Sequence, residues 1–302
     1  LHSAFAIPYY TLTDLLDMKL QTLSLTAALC LLNEASSFVN IPVKNVITAR
    51  AEVNQASLHA LAKTYWAEEE DQYEVKFMDD FDGDSIDTSK WNYFLGKGPG
   101  NGEQQIYTDS EKNSFVKDSI LHVRAIREDI EYGGETFQWT SARLDTMQKY
   151  NFIFGRMSTK VRCKPVDGPF AAVWALSEKS EDADIGWPKC GEIDFFEMQT
   201  DWDYTPSTLH FEEHCYGQSM SFFSYDAFET VDDWHVYGVE WDEEYIAFYH
   251  DGKRIGEYPR PQGKLITATN WPYDWQNEFF LIINNAMNPE WGVKASPDDS
   301  TF

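Results

Sequence analysis

Basic residues are scarce in this chain of 302 residues. Lysine and arginine together number 24 against 50 aspartates and glutamates, which gives a formal net charge of -26 and a sequence pI of about 4.5. Such a surface repels the phosphates of nucleic acids and of anionic membranes. We therefore expect neither nucleic acid nor a membrane as a partner.

Long apolar runs, internal repeats and low-complexity tracts are also missing. An apolar stretch at residues 20–32 is too short to cross a membrane. It follows the single basic residue Lys19 and precedes small residues at 35–37, which is the layout of a secretory signal peptide. We expect residues 1–17 to be upstream sequence, 18–37 a signal peptide and 38–73 a pro-region or linker. The predicted location is extracellular, and a buried helix is the alternative for residues 20–32.

Cysteine is rare, with four residues at Cys30, Cys163, Cys190 and Cys215. No Cys-x-x-Cys pair occurs, and we expect no metal ligands and no cofactor. If residues 191–199 and 207–215 form a hairpin, Cys190 and Cys215 lie almost opposite each other. In a secreted protein this predicts a disulfide, with two reduced core thiols as the alternative.

Residues 74–302 have the pattern of strands and turns. Short β-prone segments recur, Asp251-Gly252 marks a hairpin, and helical stretches are few, which together predict an all-β sandwich. Aromatic residues make up 16% of the chain, a surplus that needs a large core or a carbohydrate-type groove. The predicted strands are Val75–Phe81, Ser119–Ile126, Met157–Cys163, Ala171–Leu176, Ser207–Phe211, His235–Trp241, Ile246–His250 and Phe279–Asn284.

Three acids lie close together in the segment Glu-Ile-Asp-Phe-Phe-Glu, at Glu192, Asp194 and Glu197. In a strand Glu192 and Asp194 share a face, because side chains alternate with period two. Two adjacent aromatics, Phe195 and Phe196, predict a β-bulge that returns Glu197 to that face. The acids would then span about 13 Å of backbone, from which two glutamates can lean to the ~5–5.5 Å of a retaining glycosidase pair. A solvated acidic strand is the alternative that spacing alone leaves open.

Together with the preceding Gly-Trp-Pro-x-Cys-Gly, this segment resembles the bulged active-site signature of glycoside hydrolase family 16, in its laminarinase-like branch. The resemblance extends over some 220 residues, through Asn101–Tyr107, Phe154–Arg156, Phe170–Leu176 and Asp233–Tyr237. It implies a concanavalin-like jelly-roll sandwich of two curved antiparallel sheets at residues 74–302. The family normally has one more strand after this point, and we expect this chain to lack it.

The resemblance also implies roles for individual residues. Glu192 would be the nucleophile and Glu197 the acid/base, with Asp194 between them. The positions that resemble sugar contacts are Trp174, Trp187 and His210, followed by Asn101 and Arg143. For each tryptophan, and for His210, a packed core residue is the alternative.

The predicted function is that of a secreted, monomeric endo-glycosidase that acts on β-1,3-glucan or mixed-linkage β-glucan with retention. A transglycosylase or a galactanase of the same family, a non-catalytic β-glucan-binding protein and an adhesion-type β-sandwich are the alternatives. Some family members hold calcium near the first strand, where this chain has Asp79, Asp80 and Gly83. Part of that site belongs to the strand expected to be missing, so no calcium is predicted.

Overall fold

The computed structural model describes residues 74–199, 204–211, 220–224, 231–259, 278–289 and 300–301. The chain divides into residues 1–64 and 65–302, and all described residues belong to the second unit. The predictions for residues 1–17, 18–37 and 38–73 therefore fall outside the described residues. No helix within the described ranges is long and apolar enough to span a membrane.

The described residues form strands joined by turns, with one 3-10 helix at Glu178–Glu181. The strands of these ranges, in chain order, are β1 Asn92–Tyr93, β2 Gly96–Lys97, β3 Gln105–Tyr107, β4 Ser114–Lys117, β5 Ile120–Tyr132, β6 Glu135–Ser141, β7 Arg143–Asp145, β8 Asn151–Phe152, β9 Gly155–Val161, β10 Pro169–Ser177, β11 Glu192–Met198, β12 Thr205–His210, β13 Met220–Ser224, β14 His235–Trp241, β15 Tyr245–His250, β16 Lys253–Pro259, β17 Phe279–Met287 and β18 Ser300–Thr301. The predicted all-β class is confirmed.

Hydrogen bonding groups these strands into three sheets. An 8-stranded sheet has the order β1-β7-β17-β10-β11-β12-β13, with β8 beside β17. A 4-stranded sheet has the order β16-β15-β14-β9, and a 6-stranded sheet the order β18-β5-β6-β3-β2, with β4 beside β5. All the paired strands are antiparallel except β3 and β6, which run parallel.

Both smaller sheets pack against the 8-stranded sheet. Its strands β10, β11, β12 and β17 share one apolar core with β9, β14 and β15 of the 4-stranded sheet. Met287 of β17 packs with Ala125 and Trp139 of the 6-stranded sheet. The second layer of the expected two-sheet sandwich therefore consists of two hydrogen-bonded sheets in the described part of the chain.

The apolar core that the 8-stranded and 4-stranded sheets share is centred on β11, because this strand is apolar on its inner face. Ile193, Phe195 and Phe196 are each no more than 2% exposed, against Tyr237 and Phe248 of the opposite sheet. Full burial of one such side chain stabilises the fold by about 1.5–3 kcal/mol. This packing fixes which face of β11 is turned away from the core.

The predicted strand at Val75–Phe81 is wrong. Residues 74–91 form no strand, and Phe81 has a left-handed φ of 52°. The side chain of Asp79 accepts bonds from the Phe81 backbone N–H at 3.1 Å and from the Trp91 indole at 2.7 Å. The segment is thus held by side-chain bonds and by packing of Phe77 and Phe81 on Trp91, instead of by a ladder.

The hairpin signal at Asp251-Gly252 is confirmed. These two residues join β15 to β16, with φ values of 47° and 74°. Positive φ at both central residues is the type I′ pattern that matches the twist of paired strands. The turn places His250, the last residue of β15, at the end of the ladder.

Candidate active site

A β-bulge interrupts the pairing of β11 with β10. Asp194 lies opposite Trp174 and Phe196 lies opposite Val173, which leaves Phe195 as the extra residue of β11. The bulge thus falls between Asp194 and Glu197, as the adjacent aromatics predict. Phe195 is buried, with 2% of its surface exposed, so the extra residue is fixed on the core side of the strand.

The bulge brings the third acid into line with the first two. Glu192 lies opposite Leu176 and Glu197 lies opposite Ala172, so the two glutamates are an even number of steps apart along β10. Residues an even number of steps apart point to the same face of a sheet. Glu192, Asp194 and Glu197 therefore form one row on the face of β11 turned away from the core.

Glu192 is held by two neighbours that the sequence analysis named. The Trp187 indole N–H donates to Glu192 Oε2 at 2.9 Å. His210 Nε2 lies 3.8 Å from Glu192 Oε1 and 3.2 Å from Asp194 Oδ2. The rings of Trp187 and His210 are 6.0 Å apart, so both side chains frame the same carboxylate.

Glu197 is held from the neighbouring strand. Thr208 Oγ1 of β12 donates to Glu197 Oε2 at 3.0 Å. Thr208 lies opposite Asp194 in the β11–β12 ladder, so its hydroxyl reaches across the bulge to the second glutamate. Thr208 lies within the predicted strand Ser207–Phe211 but was not predicted as a site residue.

All three acids have raised pKa values. Burial and the neighbouring Asp194 raise the pKa of Glu192 to about 8, while His210, the Trp187 bond and Arg143 act in the opposite direction. Burial and Asp194 raise the pKa of Glu197 well above its usual range. Burial raises the pKa of Asp194 as well. Three neighbours favour the ionised form of Glu192, namely His210, Trp187 and Arg143, whereas His210 and Thr208 do so for Glu197.

Arg143 and Trp174 form a second cluster beside the acids. The Arg143 guanidinium lies 4.9 Å from the ring centroids of both Phe94 and Trp174. The Trp174 indole N–H donates to Asn284 Oδ1 of β17 at 2.7 Å. Both predicted residues therefore lie at the site, with Trp174 half-buried and its polar edge fixed.

A polar network continues below Trp174. Asn284 Nδ2 donates to the Tyr107 hydroxyl at 3.2 Å, and that hydroxyl donates to Glu103 Oε2 at 3.0 Å. Burial raises the pKa of Glu103, and bonds from Gln105 and Tyr107 oppose the rise. Asn284 was not predicted as a site residue, although a polar residue within the apolar segment Phe279–Met287 indicates a buried hydrogen bond.

Asn101 is not brought into contact with the acids in the described residues. It lies exposed in the loop before β3, with a φ of 55°. The loop is anchored at the following residue, where Asn288 Nδ2 donates to the Gly102 carbonyl at 3.0 Å. The proposed sugar contact of Asn101 stays a prediction.

Cys190 precedes the acid row and is fully buried, and burial raises the pKa of its thiol to about 12. Its predicted partner, Cys215, lies outside the described residues, so the disulfide stays a prediction.

Glu192, Asp194 and His210 each offer one ligand atom within 4.8 Å of the others. His214, four residues after His210, also lies outside the described residues, and the expected absence of a metal stays a prediction.

Trp187 presents an exposed ring beside the acids. Trp187 is 38% exposed while its indole N–H is bound to Glu192. Its ring can therefore stack on a sugar while its edge holds a carboxylate. Two glutamates on one face beside such a ring form an arrangement suited to acid–base work on a glycosidic bond.

Comparison with known proteins agrees with this geometry. The family model described as glycosyl hydrolases family 16 matches residues 101–278. The chain is 31% identical over 238 residues to a beta-glucanase of Rhodothermus marinus, covering 76% of this chain and 81% of that protein. It is 30% identical over 241 residues to glucan endo-1,3-beta-glucosidase A1 of Niallia circulans, covering 74% of this chain but only 35% of that protein.

A solved structure gives the same result at the level of the fold. The laminarinase from Rhodothermus marinus superposes with a TM-score of 0.67 and 30% identity, covering 76% of this chain and 94% of that one. The residues matched by the family model include β11, its bulge and the three acids. The chain therefore belongs to family 16 of the glycosyl hydrolases.

Proposed function

We propose that the chain is a secreted, retaining endo-glycosidase that hydrolyses β-1,3-glucan of the laminarin type, or mixed-linkage β-glucan. The observation that carries the proposal is the row of Glu192, Asp194 and Glu197, aligned by the bulge at Phe195. Two glutamates on one face of one strand leave little room for a water between sugar and nucleophile, which favours double displacement.

In the first step Glu192 attacks the anomeric carbon as a carboxylate. Its lone pair forms the glycosyl ester while the bond from that carbon to the glycosidic oxygen breaks. Glu197 gives its proton to the departing oxygen, so the leaving chain ends in a neutral hydroxyl. The contacts support this assignment, since Trp187, His210 and Arg143 favour the ionised form of Glu192, while burial and the like charges of Asp194 and Glu192 raise the pKa of Glu197.

In the second step Glu197, now ionised, removes a proton from a water molecule. The hydroxide so formed attacks the anomeric carbon, the ester bond breaks, and Glu192 leaves as a carboxylate. Asp194 lies between the two glutamates and, when ionised, raises the proton affinity of Glu197 through like-charge repulsion. Trp187 and His210 hold Glu192 in place through both steps.

The substrate assignment rests on the relatives and on the aromatic site. The two curated relatives above are named for β-glucan and β-1,3-glucan cleavage, and the structural neighbour is a laminarinase. A non-catalytic glucan-binding protein is less favoured, because all three acids are present and aligned. Binding alone would not need two glutamates aligned on one face of one strand.

A substrate panel with one inactive variant tests the proposal. Purified protein is incubated with laminarin, lichenan, agarose and carrageenan, and the released oligosaccharides are analysed. We expect release from laminarin or lichenan, and a loss on the order of a thousandfold in Glu192→Gln, because the nucleophile is removed. Glu131→Gln, an exposed acid of β5, is the matched control and should keep full activity. Activity on agarose or carrageenan alone, or near-normal activity of Glu192→Gln, would contradict the proposal.

A further inference from the structure

The carbonyl group of the bulge residue Phe195 is bound by a side chain on the core side of the sheet. The β11–β12 ladder ends at the pair of Asp194 and Thr208. An extra residue in a bulge is left unpaired by the ladder, so its buried carbonyl needs another donor. Ser207 Oγ of β12 supplies it, donating to the Phe195 carbonyl at 2.8 Å.

The same serine hydroxyl contacts a histidine from the opposite layer. His250 Nε2, at the end of β15, lies 3.0 Å from Ser207 Oγ. A serine hydroxyl has one proton, and it is used on Phe195, so toward His250 the oxygen must accept. His250 therefore carries its proton on Nε2, and the order of donation runs from His250 to Ser207 to Phe195.

The surroundings of His250 fit this single tautomer. The ring is 4% exposed and packs edge-on against Tyr237, with centroids 4.6 Å apart. Its Nδ1 has no hydrogen-bond partner among the described residues, which suits the bare nitrogen of that tautomer. Burial lowers the pKa of His250 to about 4, although Asp251 and the Phe195 carbonyl near the ring act in the opposite direction, so the ring is neutral at neutral pH.

Adjacent residues of β12 thus hold the bulge from its two sides. Ser207 binds the Phe195 carbonyl on the core side, and Thr208 binds the Glu197 carboxylate on the other side. Glu197 follows the bulge by two residues, so rotation of the Phe195 peptide would redirect its side chain. Ser207, His250 and Phe195 are all buried, so this hydrogen-bond arrangement lies out of contact with bulk solvent.

We propose that Ser207 and His250 form a hydrogen-bond relay across the sandwich that fixes the Phe195 bulge and thereby positions Glu197 over the leaving oxygen. The inference rests on the proposed function, because it assigns Glu197 the proton transfer. Ser207 and His250 are positioning residues, since they act through Phe195 and do not face the substrate.

Steady-state kinetics of Ser207→Ala tests the positioning role. We expect kcat on the best glucan to fall about ten- to hundredfold, because a displacement of about 1 Å in a catalytic group has costs of that order, while KM stays within about twofold. Thr205→Val is the matched control, since it removes another buried hydroxyl from the same face of β12, one that lies beside the Tyr237 hydroxyl. It should keep its kcat. An unchanged kcat in Ser207→Ala, or an equal loss in Thr205→Val, would overturn the proposal.

A second pair of variants keeps the test decisive if Ser207→Ala does not fold. His250→Gln retains an N–H that can donate to Ser207, whereas His250→Leu does not. We expect kcat to be lost in His250→Leu and largely kept in His250→Gln. Equal activity of the two would contradict a donor role for His250.

The tautomer of His250 is measured without any substrate. In nitrogen-15 NMR of histidine-labelled protein, the ring signals that disappear in His250→Gln belong to His250. They should show the proton on Nε2 at neutral pH, and a proton on Nδ1 would overturn the relay. Because this readout needs no activity, its failure is separate from a failure to hydrolyse glucan, which would contradict the proposed function instead.

Discussion

At the scale of single residues, the acid row sets function against stability. Three carboxyl groups lie on one face, and burial raises the pKa of each. The Glu192 side chain is 18% exposed, so solvent relieves little of the repulsion. The same crowding that keeps a proton on Glu197 also penalises the ionised row as the pH rises.

This penalty predicts a pH-dependent gain in stability for Glu192→Gln. The pKa of Glu192 is raised from 4.5 to about 8. The folded protein therefore holds an extra proton between those values, and the stability that this group contributes at low pH is lost as the pH rises through about 8. At pH 8 the variant should be more stable by about 1–3 kcal/mol, which raises Tm by roughly 3–10 °C.

Thermal unfolding at several pH values checks this expectation. The gain should shrink toward zero near pH 4, where Glu192 is protonated in both states. Glu131→Gln serves as the control and should show no such trend. A variant less stable than the wild type at pH 8, or a gain independent of pH, would contradict the buried like-charge row.

The charge of Arg143 predicts the position of the acid limb of activity. Arg143 lowers the pKa of Glu192 by its charge and packs against Phe94 and Trp174. Arg143→Met keeps apolar packing and removes the charge, so the rise of kcat/KM with pH should move upward by a few tenths to about one pH unit. Arg143→Lys keeps the charge and should leave the limb in place. The pH profiles of the two variants measure this, and a downward shift in Arg143→Met would refute the electrostatic role.

At the scale of elements, the site depends on one irregularity in β11. Glu197 is five residues after Glu192, so regular alternation would turn it to the core, and the bulge that absorbs Phe195 turns it back. Deleting Phe195 would place the acids at i, i+2 and i+4 of a regular strand, so the deletion variant should keep them on one face and retain glucan hydrolysis. Inserting one alanine between Phe196 and Glu197 should instead turn Glu197 to the core, and we expect this insertion variant to lose glucan hydrolysis by a factor on the order of a thousand.

Circular dichroism and glucan binding separate loss of chemistry from loss of fold in the insertion variant. The matched control is Phe195→Leu, which keeps the residue count and the apolar character of the bulge. It should retain most of its activity. A folded insertion variant with near-normal turnover would show that strand register does not align the acids.

Strand β11 and its bulge could be predicted from the sequence because the bulge leaves a local pattern of residues. Phe195 and Phe196 are adjacent where alternation allows one apolar residue, and the acids flank them. The strand at His235–Trp241 was predicted with its observed bounds because its residues alternate regularly between the two faces of the sheet. Local patterns of this kind are sufficient for strands that follow one period.

Other features could not be read locally. Val75–Phe81 alternates like a strand but is held by Asp79 side-chain bonds, which depend on Trp91 twelve residues away. Ser207 and His250 are 43 residues apart and meet only through the packing of two sheets. The predicted strand Ser119–Ile126 extends to Tyr132 in β5, across a register shift between Arg127 and Ile130. Such contacts and irregularities are set by tertiary packing.

At the scale of the whole molecule, the two layers have different tasks. The 8-stranded sheet carries the acids on one face and buries its other face against the 4-stranded sheet. That second layer contributes His250 beneath the bulge, so the core of the sandwich supports the geometry of the site. The net charge of -26 favours a neutral polysaccharide as the ligand, because a polyanionic protein repels an acidic polysaccharide.

The central claim is that Glu192 and Glu197 act from one face as nucleophile and acid/base. Its most direct test is proton NMR of the first products released from a β-glucan, recorded before mutarotation. Double displacement predicts that the β-anomer of the new reducing end is seen first. If the α-anomer is seen first, the enzyme inverts, and the alignment of the two glutamates does not serve the proposed mechanism.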